Sequence, residues 1–182
     1  MRADAKRNRD RLLTAADEVF AEGGATASTE EVARRAGVGI GTVFRHFPTK
    51  ESLVEAVLAA RLRRLADIAT ELTDSDEPEE AFFTFLNNVV DQSMGKKAFS
   101  DALAEMGVDV DEASAPAKDD LRNAGERLLA RAQQAGAVRM DISVPELMGV
   151  LVGITRAAEY TNHDLRLRDR TIRVIIDGLR AH

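Results

Sequence analysis

Apolar residues recur along this chain at intervals of three and four, the period of a helix, and almost nowhere at the alternating period of a strand. Between Lys6 and Glu22, the residues Leu12, Leu13, Ala16, Val19 and Phe20 form one stripe that Gly23-Gly24 ends. Ser28-Thr29-Glu30-Glu31 has the form of a capping box, which predicts that Ser28 caps the Glu31 amide while Glu31 reaches back. A short helix through Val32, Ala33 and Ala36 follows. Gly37-Val38-Gly39 breaks it with two residues suited to unusual backbone angles, and Ile40 to Phe47 has room for about two turns before Pro48. Thr49 caps a longer helix that reaches Leu72. Thr73 to Pro78 reads as an acidic linker, Glu79 to Met94 as a helix, Ala98 to Met106 as a short helix and Gly107 to Pro116 as a mobile loop. Lys118 to Ala135, closed by an αL cap at Gly136, then Val144 to Tyr160 and Asp169 to Arg180 complete an all-α chain of about nine helices.

Composition narrows the setting in which these helices work. The chain has 182 residues, enough for about one domain with a small appendage, and 45% of them are apolar, which excludes wholesale disorder. It has no cysteine, so neither a disulfide scaffold nor a thiolate metal site is available. The longest apolar run, Met148 to Ile154, is far shorter than a membrane span, and the charged N-terminus is unlike a secretory signal. A cytoplasmic protein with no membrane partner is expected.

Residues 28–47 combine a short helix, a glycine-containing turn and a second short helix, with Val32, Ala36, Val38, Val43 and Phe47 placed to pack them together. As a pattern alone, this suits a structural bundle corner as well as a DNA-reading helix-turn-helix. The residues themselves are more particular. The run Thr29-Glu30-Glu31-Val32-Ala33-Arg34-Arg35-Ala36-Gly37-Val38-Gly39-Ile40-Gly41-Thr42-Val43-Phe44-Arg45-His46-Phe47-Pro48-Thr49-Lys50-Glu51-Ser52-Leu53, extended back through Ala16, Val19, Phe20, Ala21 and Gly24, closely resembles the signature of the TetR family of bacterial transcriptional regulators. The resemblance covers the first third of the chain. It implies a DNA-binding domain over residues 1–65, a helical ligand-binding and dimerisation domain over 66–182, and a homodimer on a pseudo-palindromic operator. It also implies repression relieved by a small hydrophobic or amphipathic inducer.

Candidate DNA-binding residues are Thr29, Gly39, Ile40, Gly41, Thr42, Phe44, Arg45, His46 and Lys50. Gly41 leaves backbone open to close approach, Thr42 can meet a base edge or a thymine methyl, and Arg45, His46 and Lys50 can reach phosphates or bases. Thr29 lies where a helix N-terminus can meet a phosphate. The chain has Gly39 where the family often has serine or threonine, and Phe44 where it often has tyrosine, so two possible phosphate contacts are lost. Arg34 and Arg35 read as a solvated face.

In the second domain, Gly149, Gly153, Arg156 and Tyr160 fall on one flat helical strip, and Ile172, Ile175, Ile176 and Leu179 on an apolar one. Pattern alone allows internal packing; the resemblance implies a dimer interface. Phe82, Phe85, Leu86, Val89, Phe99, Leu103, Met106, Leu128, Met148, Val152, Thr155 and Glu159 are candidates for a mostly apolar ligand cavity, with plain core as the alternative. An enzyme is the rival class. Glu159 and His163 stand at metal-sharing spacing, but no Glu-x-x-His pair, nucleophile elbow or phosphate loop accompanies them, so no metal, cofactor or catalytic residue is expected.

Charge is divided along the chain. The net −6 comprises +3 over residues 1–65, with 12 basic and 9 acidic, and −9 over the remainder, with 13 basic and 22 acidic. An acidic rear half turns a basic head toward a polyanion.

Overall fold

The computed structural model describes residues 2–93, 104–107, 110–161 and 163–181. These residues form eight α-helices: α1 (Arg2–Gly23), α2 (Thr29–Ala36), α3 (Ile40–His46), α4 (Lys50–Thr73), α5 (Pro78–Ser93), α6 (Val110–Gln134), α7 (Val144–Tyr160) and α8 (Leu165–Asp177). One 3-10 turn, Gly24–Thr26, follows α1, and Val138 and Arg180 make an isolated antiparallel bridge. The all-helical expectation holds. The helix expected from Ala98 to Met106 lies largely outside the described residues.

Two elements differ from their expected bounds. α6 begins at Val110 and runs through Pro116, where a loop was expected. Proline there removes only one backbone donor. α8 begins at Leu165 rather than Asp169 because Asp164 is its N-cap, accepting from the Arg166 and Leu167 amides, each at 3.0 Å.

The residues separate into two compact units. One comprises Met1–Arg61 with Gly95–Ala115, and the other Leu62–Met94 with Pro116–His182. In the first, Leu12, Ala16 and Phe20 of α1 are fully buried with Val32 of α2, Val43 of α3 and Leu53 of α4. A short helix pair cannot hide its apolar faces alone, so α1 and α4 supply the rest of this core. Arg61, only 9% exposed at its side chain, pairs with Asp17 and ties α4 to α1.

The turn between α2 and α3 is a Schellman motif. Gly37 takes φ +67°, its N–H donates to the Arg34 carbonyl, and the Val38 N–H donates to Ala33 at 3.0 Å. Gly39, by contrast, has an ordinary extended backbone with φ −73°, so only one of the two turn glycines is needed for its angles. Arg11 also reaches this turn and donates to the Ala36 carbonyl at 2.6 Å. A Cβ at position 37 would stand 3.1 Å from that guanidinium. Gly37→Val is therefore expected to destabilise the chain by about 2–3 kcal/mol, from left-handed backbone strain and the displaced Arg11 cap. Thermal unfolding followed by circular dichroism checks this; an unchanged midpoint would contradict it.

In the second unit, Phe82, Phe85 and Leu86 of α5 pack with Leu128 of α6, Leu147 and Ile154 of α7 and Ile172 of α8. Gly136, at φ +72°, repeats the Schellman geometry after α6. The following segment is held to the end of α8 by Arg139 N–H to Leu179 carbonyl and Ala181 N–H to Ala137 carbonyl bonds of 3.1 and 3.2 Å.

Candidate nucleic-acid interface

α3 is held from one side only. Val43 is fully buried and Phe47, just past its C-terminus, is 3% exposed, so these two side chains anchor the helix on the core. The opposite face is bare. Ile40 is 37% and Phe44 45% exposed, Gly41 and Arg45 are exposed between and beside them, and a Cβ at Gly39 or Gly41 would meet nothing within 4 Å. Two partly exposed apolar side chains one turn apart on an otherwise open face make it a candidate contact surface.

Positive charge surrounds that face. The Arg9 guanidinium lies 5.3 Å from the centre of the Phe47 ring, which places the basic start of α1 beside the end of α3. The Lys50 ammonium lies over Phe20 at 5.8 Å, at the first residue of α4. Thr49 caps that helix as expected, and Ser52 reciprocates: the Ser52 N–H donates to Thr49 Oγ1 at 3.1 Å, and the Thr49 N–H to Ser52 Oγ at 3.2 Å. Arg45 is exposed and has no ion pair among the described residues, while Thr42 and His46 are half-buried.

Two of the expected roles at α2 are altered. Thr29 is 9% exposed, and its hydroxyl lies 3.5 Å from Glu30, so it is turned toward the protein rather than presented outward. Half of the capping box forms: Ser28 accepts from the Glu31 N–H at 3.1 Å, but the Glu31 carboxylate turns to Arg34, at 2.8 and 2.6 Å, and to Arg35. Arg35 is correspondingly less solvated than expected. It donates both terminal nitrogens to Glu22 at 2.7 and 2.8 Å, linking α2 to α1. A bidentate guanidinium outcompetes a backbone amide for a carboxylate.

These bonds shift the carboxyls. Hydrogen bonding from Arg34 holds Glu31 at about 2, and hydrogen bonding from Arg35 lowers Glu22. A carboxyl held below its unfolded value favours the fold above that value and loses the contribution as acid protonates it. For Glu31 this loss runs from pH 4.5 down to about 2. The pairs are exposed, so they orient α2 more than they stabilise it.

The N-terminal helices, residues 12–57, match the family model for bacterial regulatory proteins of the tetR family, and residues 77–181 match the SbtR-like C-terminal domain of transcriptional regulators. The chain belongs to the TetR family. It is 30% identical over 179 residues to the helix-turn-helix transcriptional regulator SrpR of Pseudomonas putida, covering 95% of this chain and 82% of that one. It is 27% identical to the transcriptional repressor KstR of Rhodococcus jostii, covering 96% and 86%. Among solved structures, the TetR transcription regulatory protein of Mycobacterium vanbaalenii superposes with a TM-score of 0.80 at 41% identity, over 99% of each chain. This TetR-family protein is therefore a DNA-binding transcriptional regulator and not an enzyme, and α2 and α3 are its helix-turn-helix.

The regulator's second unit presents its nominated residues differently from the sequence expectation. On α7, Gly149, Gly153, Arg156 and Tyr160 do share an exposed strip; Tyr160 is 81% exposed, and a Cβ at either glycine would meet nothing within 4 Å. Val152, nominated for the ligand cavity, is 62% exposed and belongs to this outer face instead. On α8 the nominated stripe faces inward: Ile172 and Leu179 are 6% and 3% exposed, and Ile175 and Ile176 pack against the same core. The exposed apolar side chains of α8 are Leu165, Leu167 and Val174, the last at 74%. The seven-residue spacing of Leu167 and Val174 was the signal for them, masked by the arginines around it.

The cavity residues are filled core. Phe82, Phe85, Leu86, Val89 and Leu128 are each at most 3% exposed and pack on one another's helices, because side chains of this size on α5 and α6 meet across the space a ligand would need. Met148 is half-buried, and its methyl would lie 3.1 Å from a Cβ at Gly125. Thr155 donates to the Leu151 carbonyl at 3.0 Å, and Glu159 accepts from Arg156 at 2.9 Å. Met106 packs against the core of the first unit. Phe99 and Leu103 lie outside the described residues. One groove on the surface of this unit is lined by Glu79, Phe83 and Arg180 among others. In that groove Arg180 stacks on Phe83, 3.9 Å from the ring centre, and pairs with Glu79 at 2.7 Å.

Proposed function

We propose that this regulator is a homodimeric repressor that lays α3 in the major groove of each half of a pseudo-palindromic operator. The observation that carries the reading is the one-sided burial of α3, with Val43 anchored in the core and Ile40, Gly41, Phe44 and Arg45 facing out. Direct contact with bases falls to that outward face, including Thr42 at its edge. Arg45, His46 and Lys50 serve the phosphates, together with the basic start of α1. Gly39 admits the sugar-phosphate chain, and Thr29 acts through the placement of α2. Repression is supported by likeness to a named repressor along most of both chains. A protein occupying its operator blocks polymerase there.

The second unit contributes the dimer and the sensing. The exposed α7 strip, with two glycines that admit a facing helix and Val152 and Tyr160 beside them, is the surface that a second copy covers, joined by Leu167 and Val174 of α8. Two-fold symmetry then matches a pseudo-palindrome. A small hydrophobic or amphipathic inducer binds among Phe82, Phe85, Leu86, Val89 and Leu128 by parting them, since these side chains are packed together in the core. Such a ligand selects a core arrangement that differs from the DNA-bound one, and lowers operator affinity by its preference between the two.

Selection of bound duplex from a random pool tests the core of the proposal. The expected product is two inverted half-sites, and binding to it falls by about 100-fold or more between 50 and 200 mM salt as counterions are released. Failure to enrich any sequence at low salt would overturn it. With the selected duplex in hand, a hydrophobic compound that raises the melting temperature should also release the DNA; compounds that do the first and never the second remove the sensing role.

A further inference from the structure

The outer face of α3 is chemically unusual for a base-reading surface. The helix contains no Asn, Gln, Asp or Glu, so it has no amide side chain for the bidentate recognition of adenine and no carboxylate for accepting from cytosine. Its one guanidinium, Arg45, stands in the last turn, and the Thr42 backbone amide is already committed to the Gly39 carbonyl at 2.8 Å. The two large side chains that do project are Ile40 and Phe44, one turn apart on the same face and 37% and 45% exposed, with no side chain on Gly41 beside them. The only apolar group that the floor of the major groove offers such a pair is the C5-methyl of thymine.

Resting on the assignment of α3 to the major groove, we propose that Ile40 and Phe44 are specificity-determining residues that read thymine methyl groups in each half-site. The bare Gly41 lets the helix sit low enough for both side chains to reach them, and Arg9, Arg45 and Lys50 supply the charge that holds the helix there. Discrimination against cytosine at these positions comes from apolar contact, not from hydrogen bonds.

The test uses the duplex recovered by selection with the full chain, in which each thymine is replaced singly by deoxyuridine. That change deletes the methyl and keeps every hydrogen-bonding group. One or two positions per half-site should lose about three- to five-fold in affinity per methyl. At those positions Phe44→Ala or Ile40→Ala should bind thymine and deoxyuridine duplexes equally. Neither side chain is in the core, where Val43 anchors the helix, and helical circular dichroism and the melting temperature check that each variant keeps the fold. Full tolerance of deoxyuridine by the unaltered protein at every position, on a duplex it binds specifically, overturns the methyl reading and leaves the DNA-binding proposal standing. Loss of methyl sensitivity in neither variant assigns the methyls to another residue and removes Ile40 and Phe44 from the role. An empty selection overturns the underlying groove assignment and this inference with it.

Discussion

Gly41→Glu is expected to lower specific operator affinity by about 100-fold or more while leaving the melting temperature within 1–2 °C of the parent. The carboxylate would stand on the outward face of α3, where a Cβ meets nothing within 4 Å, so the folded chain accepts it without strain. Replacing glycine inside a helix even relieves some backbone entropy. On DNA the same group meets phosphates and base acceptors at close range, and like charges juxtaposed at an interface cost several kcal/mol. Gel shift or anisotropy with the selected duplex, alongside thermal unfolding, gives both readings. Affinity within threefold of the parent would mean that α3 does not enter the groove. A collapsed melting temperature would mean that Gly41 matters to folding in a way its open surroundings do not allow.

Gly153→Glu should have an effect of similar size on DNA binding through a different route. Residue 153 lies far along the chain from the reading helix, on the exposed strip of α7, and its position also has open space for a side chain. The variant monomer therefore folds. On the proposed interface, however, a second copy could no longer approach closely, because a carboxylate from each copy would stand within it. The expected result is a monomer by light scattering at micromolar concentration, with operator affinity reduced by about 100-fold or more, because linkage of two reading heads is worth roughly 10²–10⁴ in avidity. A variant that stays dimeric would move the interface off this strip. A monomer with undiminished affinity would show that one head suffices.

The helices themselves were largely legible because their signals are local. Thr49 and Ser52 cap α4, Gly136 closes α6, and Val144–Tyr160 is found where its spacing placed it, since each feature depends on a few neighbouring residues. The misread starts were also local matters: Asp164 was not recognised as a cap among alternating leucines and arginines, and Gly107 to Pro116 was read as a loop although α6 already begins at Val110. In the first unit the inward turn of Val32, Ala36, Val43 and Phe47 was legible, because two short helices on one core leave little freedom in which side chains turn inward. Thr29 and Glu31 were the exceptions. Glu31 is drawn away from its cap by Arg34 and Arg35 of its own helix, and Arg35 is in turn placed by Glu22 of α1, so competition among partners decided where these side chains went.

Periodicity along the chain says that a helix has an apolar stripe, and for this protein it was enough to indicate an all-helical chain, while the helix-turn-helix was read from its resemblance to a known family. It does not say which stripe of a helix with two is covered by its own protomer. Ile172 and Leu179 form as convincing a stripe as the α7 strip, yet they are inside, while Val174 and Tyr160 are outside. Nor does it distinguish a wall of phenylalanines around a cavity from the same residues filling one. Both outcomes depend on how α5, α6, α7 and α8 meet, which is set by the summed volumes of side chains far apart in the chain. Tertiary packing alone therefore decided that Phe82, Phe85 and Leu128 are closed upon each other and that the glycine strip of α7 is left open.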